Sequence, residues 1–235
     1  MAADDTMSIT VTENGPYRVT GSVPLAMQTI VPDERGDSVD WEQGETLEAG
    51  KEYLLCRCGQ SANKPFCDDS HLREGFDGTE TASRKPYLEQ ADEEDGPVVI
   101  LTDAQRLCAF ARFCDHGDQV WNLVERDDND AVSLAVREAT LCPSGRLVAW
   151  DRATKEAYEP KLEPSIGVVQ DPGEGVSGPL WVRGGVPVVA ADGYRYEVRN
   201  RRTLCRCGAS RNKPFCDGSH AAIGFDDGLG RRTGG

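Results

Sequence analysis

Residues 56–76 read CRCGQSANKPFCDDSHLREGF and residues 205–225 read CRCGASRNKPFCDGSHAAIGF, identical at 15 of 21 positions at one offset without a gap. A segment written twice marks one structural unit used twice. Each copy has the spacing C-x-C-x8-C-x3-H, giving Cys56, Cys58, Cys67 and His71, then Cys205, Cys207, Cys216 and His220. Three soft thiolates and one imidazole make a complete four-ligand metal set. The chain has three histidines, and two of them stand here. Plain buried thiols would not require the same four residues at the same spacing twice.

A fainter echo precedes each copy: GPYRVTGSVPL from Gly15 matches GPLWVRGGVPV from Gly178 at six of eleven positions. Glycine to first cysteine spans 41 residues in the first copy and 27 in the second, so the first carries 14 extra, expected in a polar loop around Asp33 to Gly50. In the second copy, alternating apolar runs at Val186–Val189 and Tyr194–Val198 flank Asp192-Gly193, a hairpin signal. In the first, Thr46–Glu48 and Glu52–Leu55 flank Ala49-Gly50-Lys51 and suggest another. Between the copies, Thr102-Asp103-Ala104-Gln105 offers a capping-box start for a helix toward Phe113. A second helix is expected from Asp130 to Ala139 and a strand over Arg146–Trp150. The division is 8–76, 78–165 and 166–225, with a disordered tail from Gly228.

Composition narrows the function. A net charge of −14 disfavours nucleic acid and anionic membrane surfaces as partners, since both need clustered Lys and Arg. The acidic run Asp92-Glu93-Glu94-Asp95 reads as a solvated linker rather than a docking site. Met1–Asp5 has neither a basic start nor an apolar core, so no secretory leader is expected. No apolar stretch approaches the roughly 20 residues of a membrane span. The expected location is the cytoplasm. Nine cysteines in a reducing compartment, an odd number, point to metal rather than to a disulfide framework.

Spacing alone leaves zinc and iron–sulfur clusters both open. The segments resemble the CDGSH iron–sulfur family, the mitoNEET relatives, whose pattern is C-x-C-x2-S/T-x3-P-x-C-D-G-S/A/T-H. Ser210, Pro214, Asp217, Gly218 and Ser219 fit throughout; Ser61, Pro65, Asp68 and Ser70 fit in the first copy, which has Asp69 in place of glycine. The resemblance implies two [2Fe–2S] clusters per chain, bound by the eight residues named, in a soluble tandem form. The implied fold is α+β and β-rich: two small CDGSH-type β units in pseudo-twofold arrangement with an inserted ferredoxin-like α/β segment. With three thiolates, an oxidised cluster carries roughly −1 rather than −2, so it accepts an electron more easily than an all-cysteine site. Asp69, in a position glycine favours and beside an anionic site, is expected to weaken the first cluster or its reduced form.

Cys108, Cys114 and Cys142 remain. C-AFARF-C and LCPSGRL resemble the divergent mono-cluster ferredoxin domain, implying a third cluster. Three cysteines suffice for [3Fe–4S]; [4Fe–4S] needs another ligand, for which Asp115 and His116 are candidates. The alternative is three free thiols packing the insert. The expected function is an electron carrier, or a protein that stores and hands over clusters to a redox or cluster-acceptor partner, rather than a catalyst. The competing readings are a structural zinc module and a component of an oxidoreductase system.

Overall fold

The structure, a computed structural model, describes residues 6–230. Met1–Asp5 and residues 231–235 lie outside it, and with them the acidic start and most of the expected tail. The part of that tail which is described is anchored, since Leu229 is buried in the main core.

Each unit is built on three antiparallel strands whose period-two pattern turns apolar residues inward. In the first, β1 (Ser8–Val11), β2 (Tyr17–Thr20) and β5 (Glu52–Leu55) pair with Ile9 opposite Val19 and Tyr17 opposite Leu55. In the second, β9 (Ser165–Asp171), β10 (Val176–Arg183) and β12 (Arg201–Leu204) pair alike, with Ile166 opposite Val182 and Leu180 opposite Leu204.

The units then exchange strands. β3 (Leu25–Pro32) leaves the first unit to pair parallel with β9, and β11 (Val188–Val189) leaves the second to pair parallel with β1. The two Val-Pro pairs of the upstream echo direct this. The carbonyl of Pro24 accepts from Ile166 N at 2.8 Å, and that of Pro187 accepts from Ile9 N at 2.9 Å. Proline has no N–H to satisfy, so only its acceptor must find a partner. Ile9, Tyr17, Val19, Leu55, Ile166, Leu180 and Leu204 thereby share one core.

The first copy's extra residues form no polar loop. They complete β3 and add β4 (Ser38–Thr46), an edge strand paired to β3. Trp41 of β4 packs on Trp181 and Phe113 at 4.5 and 5.0 Å, which explains why these residues are held down. The hairpin expected across Ala49-Gly50-Lys51 is likewise absent: β4 pairs with β3, and β5 with β2. The second copy's hairpin forms at its tip, where Ala190 N donates to Tyr194 O at 2.8 Å around Gly193, whose φ is 88°.

The middle segment holds a separate antiparallel sheet of β6 (Asp92–Asp95), β7 (Val99–Asp103) and β8 (Leu147–Asp151). The acidic run is thus an edge strand, not a linker; charge along an edge discourages pairing with another chain. The helix expected from Thr102 does not form. Thr102 accepts from the Trp150 indole at 2.9 Å, Asp103 takes both forks of Arg146 at 2.6 Å, and a single 3-10 turn, Gln105–Leu107, follows. Neither residue is free to cap. α2 (Val120–Val124) and α3 (Asn129–Leu141) cover the sheet, α3 capped by Asp128 accepting from Ala131 N at 3.1 Å.

Arg201 of β12 fastens this segment to the second unit. Its side chain is fully buried and donates to Ala139 O, Thr140 O and Cys142 O at 2.7, 3.1 and 2.8 Å, and to Glu159 at 2.6 Å. It supplies positive charge and donors to the carbonyls that end α3. Arg201→Met, which keeps the stem and removes the fork, should cost about 3 kcal/mol, chiefly by leaving the Glu159 carboxylate without its buried counter-charge. Thermal unfolding should show the middle segment melting ahead of the rest.

Candidate metal centres

The ligand loops grow directly from the strands. Where β5 ends, Cys56 N donates to Pro65 O at 2.8 Å and Cys67 N to Leu54 O at 2.9 Å; after β12, Cys205 N donates to Pro214 O and Cys216 N to Thr203 O at 2.9 and 3.0 Å. The loop closes on its own strand. Short helices α1 (Ser70–Arg73) and α4 (Ser219–Ala222) then carry His71 and His220.

The non-ligand residues of the motif are braces. Asp68 accepts from Ser70 N, Ser70 Oγ and Ala62 N at 3.1, 2.7 and 2.8 Å; Asp217 accepts from Ser219 N, Ser219 Oγ and Arg211 N at 3.0, 2.6 and 2.8 Å. The Ser70 hydroxyl and its counterparts hold the Asp68 carboxyl well below its usual range. Ser61 and Ser210 each donate to the next-but-four carbonyl, Phe66 O and Phe215 O, at 2.7 Å.

The donors fall into pairs. Cys56 Sγ lies 3.7 Å from Cys58 Sγ, and Cys67 Sγ 3.5 Å from His71 Nδ1; Cys205 lies 3.7 Å from Cys207, and Cys216 3.4 Å from His220 Nδ1. Two ligands on one tetrahedral metal, with metal–sulfur about 2.3 Å and metal–nitrogen about 2.0–2.1 Å, stand roughly 3.8 Å apart for two sulfurs and 3.5 Å for sulfur and nitrogen. Every pair matches. The pairs do not converge on one point: among the described residues, the one set of three donors within 4.8 Å of one another is Cys67, Asp69 and His71. Each unit therefore offers two half-sites rather than one four-donor cage.

Electrostatics suit metal binding. Within each Cys-x-Cys pair the first thiol, Cys56 or Cys205, is lowered, chiefly by a hydrogen bond from its partner, and the partner is raised. Burial, with Arg206 nearby, pushes His220 down to about 4, which keeps it neutral and able to donate a lone pair. Backbone N–H groups of Gln60, Asp69 and Gly218 point at Cys58, Cys67 and Cys216 sulfurs at 3.4 Å.

The two ligand loops touch each other. Cys58 and Cys207 form an antiparallel bridge. A Cβ on Gly59 would lie 2.5 Å from Cys207 O, and one on Gly208 2.5 Å from Cys58 O; both glycines have positive φ. Only glycine allows this approach. Tyr17 also crosses over, donating to Cys205 O and Pro214 O at 2.8 and 2.9 Å.

Cys108, Cys114 and Cys142 line one small cavity with Phe110, Phe113, Pro143 and Arg146. Asp115 and His116 do not. Asp115 is exposed, and His116 turns to Glu138 at 4.0 Å. Glu138 itself is buried, with its carboxyl pushed up to about 8 by burial and Asp115. Burial raises the Cys114 thiol. The three thiols do not all lie within 4.8 Å of one another, so they are not gathered around a single ion.

This cavity's loop rests on the second unit. A Cβ on Gly218 would lie 3.1 Å from Phe110 Cβ and 3.4 Å from Cys108 O. The equivalent Asp69 (φ 63°) is exposed. The first copy tolerates aspartate because nothing covers it. The sequence did not reveal Arg57, Arg206 or Tyr17 as parts of the site, although the arginine repeated within Cys-Arg-Cys was a visible sign.

Two regions, residues 14–72 and 177–221, match the iron-binding zinc finger CDGSH type, and residues 94–152 match the divergent 4Fe-4S mono-cluster model. No curated protein and no solved structure matches the chain.

Asparagine tolerates positive φ and adds no charge, so Gly218→Asn isolates the steric effect. It should release iron from the second unit and leave the first loaded, read as iron per chain. Asp69→Gly, in open space, should retain full loading.

Proposed function

We propose that this chain, with two CDGSH-type iron-binding units and a mono-cluster domain between them, is an electron carrier that holds a [2Fe–2S] cluster in each unit and a larger cluster in the middle. Such clusters supply one-electron chemistry when bound. In the first unit Cys56 and Cys58 would hold one iron, Cys67 and His71 the other. In the second, Cys205 and Cys207 would hold one iron, and Cys216 and His220 the other. The observation that carries this reading is the separation of each donor set into two tetrahedral pairs, which favours two metals per unit over a single zinc.

The Cys58–Cys207 bridge supports electron exchange, since it joins the two Cys-x-Cys loops backbone to backbone. Loop closure onto β5 and β12 keeps the ligands fixed, and burial of all four second-unit ligands excludes water and opposes release of its cluster. Whole-cluster donation to an acceptor protein is the second reading, favoured at the first unit alone by its half-buried Cys67. Cys108, Cys114 and Cys142 would hold the middle cluster, three donors suiting [3Fe–4S]. All nine cysteines are free, which supports work in a reducing compartment, the cytoplasm. Among the described residues no helix is long and apolar enough to cross a membrane.

Anaerobically purified protein should contain about four irons and four labile sulfides from the two units, rising to about seven irons and eight sulfides if the middle holds [3Fe–4S]. It should bleach with dithionite. Cys216→Ser should remove two irons and leave the first unit's signal intact. A colourless protein holding zinc would overturn the reading.

A further inference from the structure

Each unit buries an arginine between its first two cysteines, but the two differ in counter-charge. Arg57 is 1% exposed and Arg206 3%. Arg206 donates to Gly178 O and Val169 O at 2.7 and 2.9 Å, lies over the Phe225 ring, and forms an ion pair with Asp227, whose side chain is fully buried. Arg57 makes the same kind of contacts without the carboxylate. It donates to Thr12 O and Gly78 O and lies over the Tyr17 and Phe76 rings at 5.6 and 5.5 Å. Its Nε has no partner among the described residues. The repeat explains why: the residue aligned with Asp227 is Gly78, where a Cβ would come within 2.7 Å of Arg57 Nη1. A carboxylate it feels, Asp77, is exposed and engaged with Thr79.

We propose that the first unit is the electron-accepting end of the pair, and that Arg57, a buried cation without a buried counter-charge, makes it so, while Asp227 cancels Arg206 in the second. This rests on the two-iron reading above. Reduction adds one negative charge, which an uncompensated cation stabilises and a neutralised one does not. One electron from a one-electron donor, such as a reduced ferredoxin-type protein, makes one second-unit iron ferrous. Passing it on returns that iron to ferric and makes one first-unit iron ferrous, with no bond or proton exchanged.

Other charges nearby do not reverse the order. Asp69, 3.9 Å from Cys67, opposes reduction of the first site, but it faces water. At equal distance a charge in bulk water weighs about a quarter of one at the effective dielectric of about 20 that suits buried groups. Arg112 acts near His220 in the second unit, but Asp171 and Glu174 pair with it. Deeper burial of the second ligand set, and Cys108 beside Cys216, both disfavour added negative charge there.

The test is a potentiometric titration of the iron-loaded full chain, followed by the spectra of the two [2Fe–2S] signals. The variants are Arg57→Gln, Arg57→Lys and Asp227→Asn. Arg57→Gln should lower the higher of the two waves, reducing its reduced-to-oxidised ratio at fixed potential about tenfold, or about 59 mV. Arg57→Lys, which keeps the charge and breaks the fork, should leave that wave near its original place. Asp227→Asn should raise the lower wave. The inference is overturned if Arg57→Gln moves the lower wave or neither, or if Asp227→Asn moves the higher. Should Arg57→Gln lose its iron, Asp227→Asn decides alone: Asn keeps the shape and the acceptor for Ser177 Oγ and Leu229 N, and gives up the one that Gln170 and Arg206 share. Absence of two-iron signals from the unaltered protein would instead reject the underlying reading, which separates the two failures.

Discussion

The structure depends on one close approach, the backbone of one Cys-x-Cys loop against that of the other. Two carbonyls and two glycines meet where any side chain would intrude, so the loops are registered to each other before any metal is considered. The strand exchange follows from the same geometry. Once Cys58 and Cys207 face each other, β3 and β11 have only the opposite unit's β9 and β1 to extend. The Val-Pro pairs steer them there, and the apolar faces of both units merge into one core. Neither unit would bury that core alone, so the distance between the two sites is fixed by the packing of the whole chain.

On this reciprocal frame the differences between the units stand out. Asp69 against Gly218 is a difference of cover, since the Phe110 loop fills the second position and leaves the first in water. Gly78 against Asp227 is a difference of charge inside the core. Tyr17 has leucine, Leu180, as its counterpart, and its hydroxyl reaches only toward the second unit's loop. The first unit is the open half and the second the enclosed half. Burial, ion pairing and the inserted domain all act on the same side.

Much of the site was legible because metal ligands need fixed spacing, and a repeat doubles the signal. The eight candidate donors lie in four close pairs, 3.4–3.7 Å apart. The helix expected from Asp130 to Ala139 and the strand expected over Arg146–Trp150 are present as α3 and β8. What failed was local chemistry with a stronger tertiary claimant. Thr102 and Asp103 look like a helix start but serve Trp150 and Arg146. The Asp92–Asp95 run looks like a linker but closes a sheet edge, where charge is an advantage. The extra residues of the first copy looked like a polar loop because β4 is exposed along most of its length; only Trp41, reaching Trp181 from a distant part of the chain, betrays the strand. Asp115 and His116 were near the cysteines in sequence, yet the turn at Phe113–Asp115 carries them away from the cavity.

Joining the two units in one chain makes these asymmetries available. In a symmetric dimer of identical chains the two sites share every residue, so neither potential nor exposure differs between them at rest. Here a single substitution at the Gly78/Asp227 position changes one site only. The insertion point matters as well. A domain placed between the copies emerges beside the start of the second unit, where Arg201 binds the end of α3 and the Cys108–Phe110 loop settles against Gly218. The same domain could not cover both ligand loops, because the loops face each other and only their outer flanks are free. Covering one flank leaves the other exposed, so the connectivity of the chain already sets an inside and an outside for the pair.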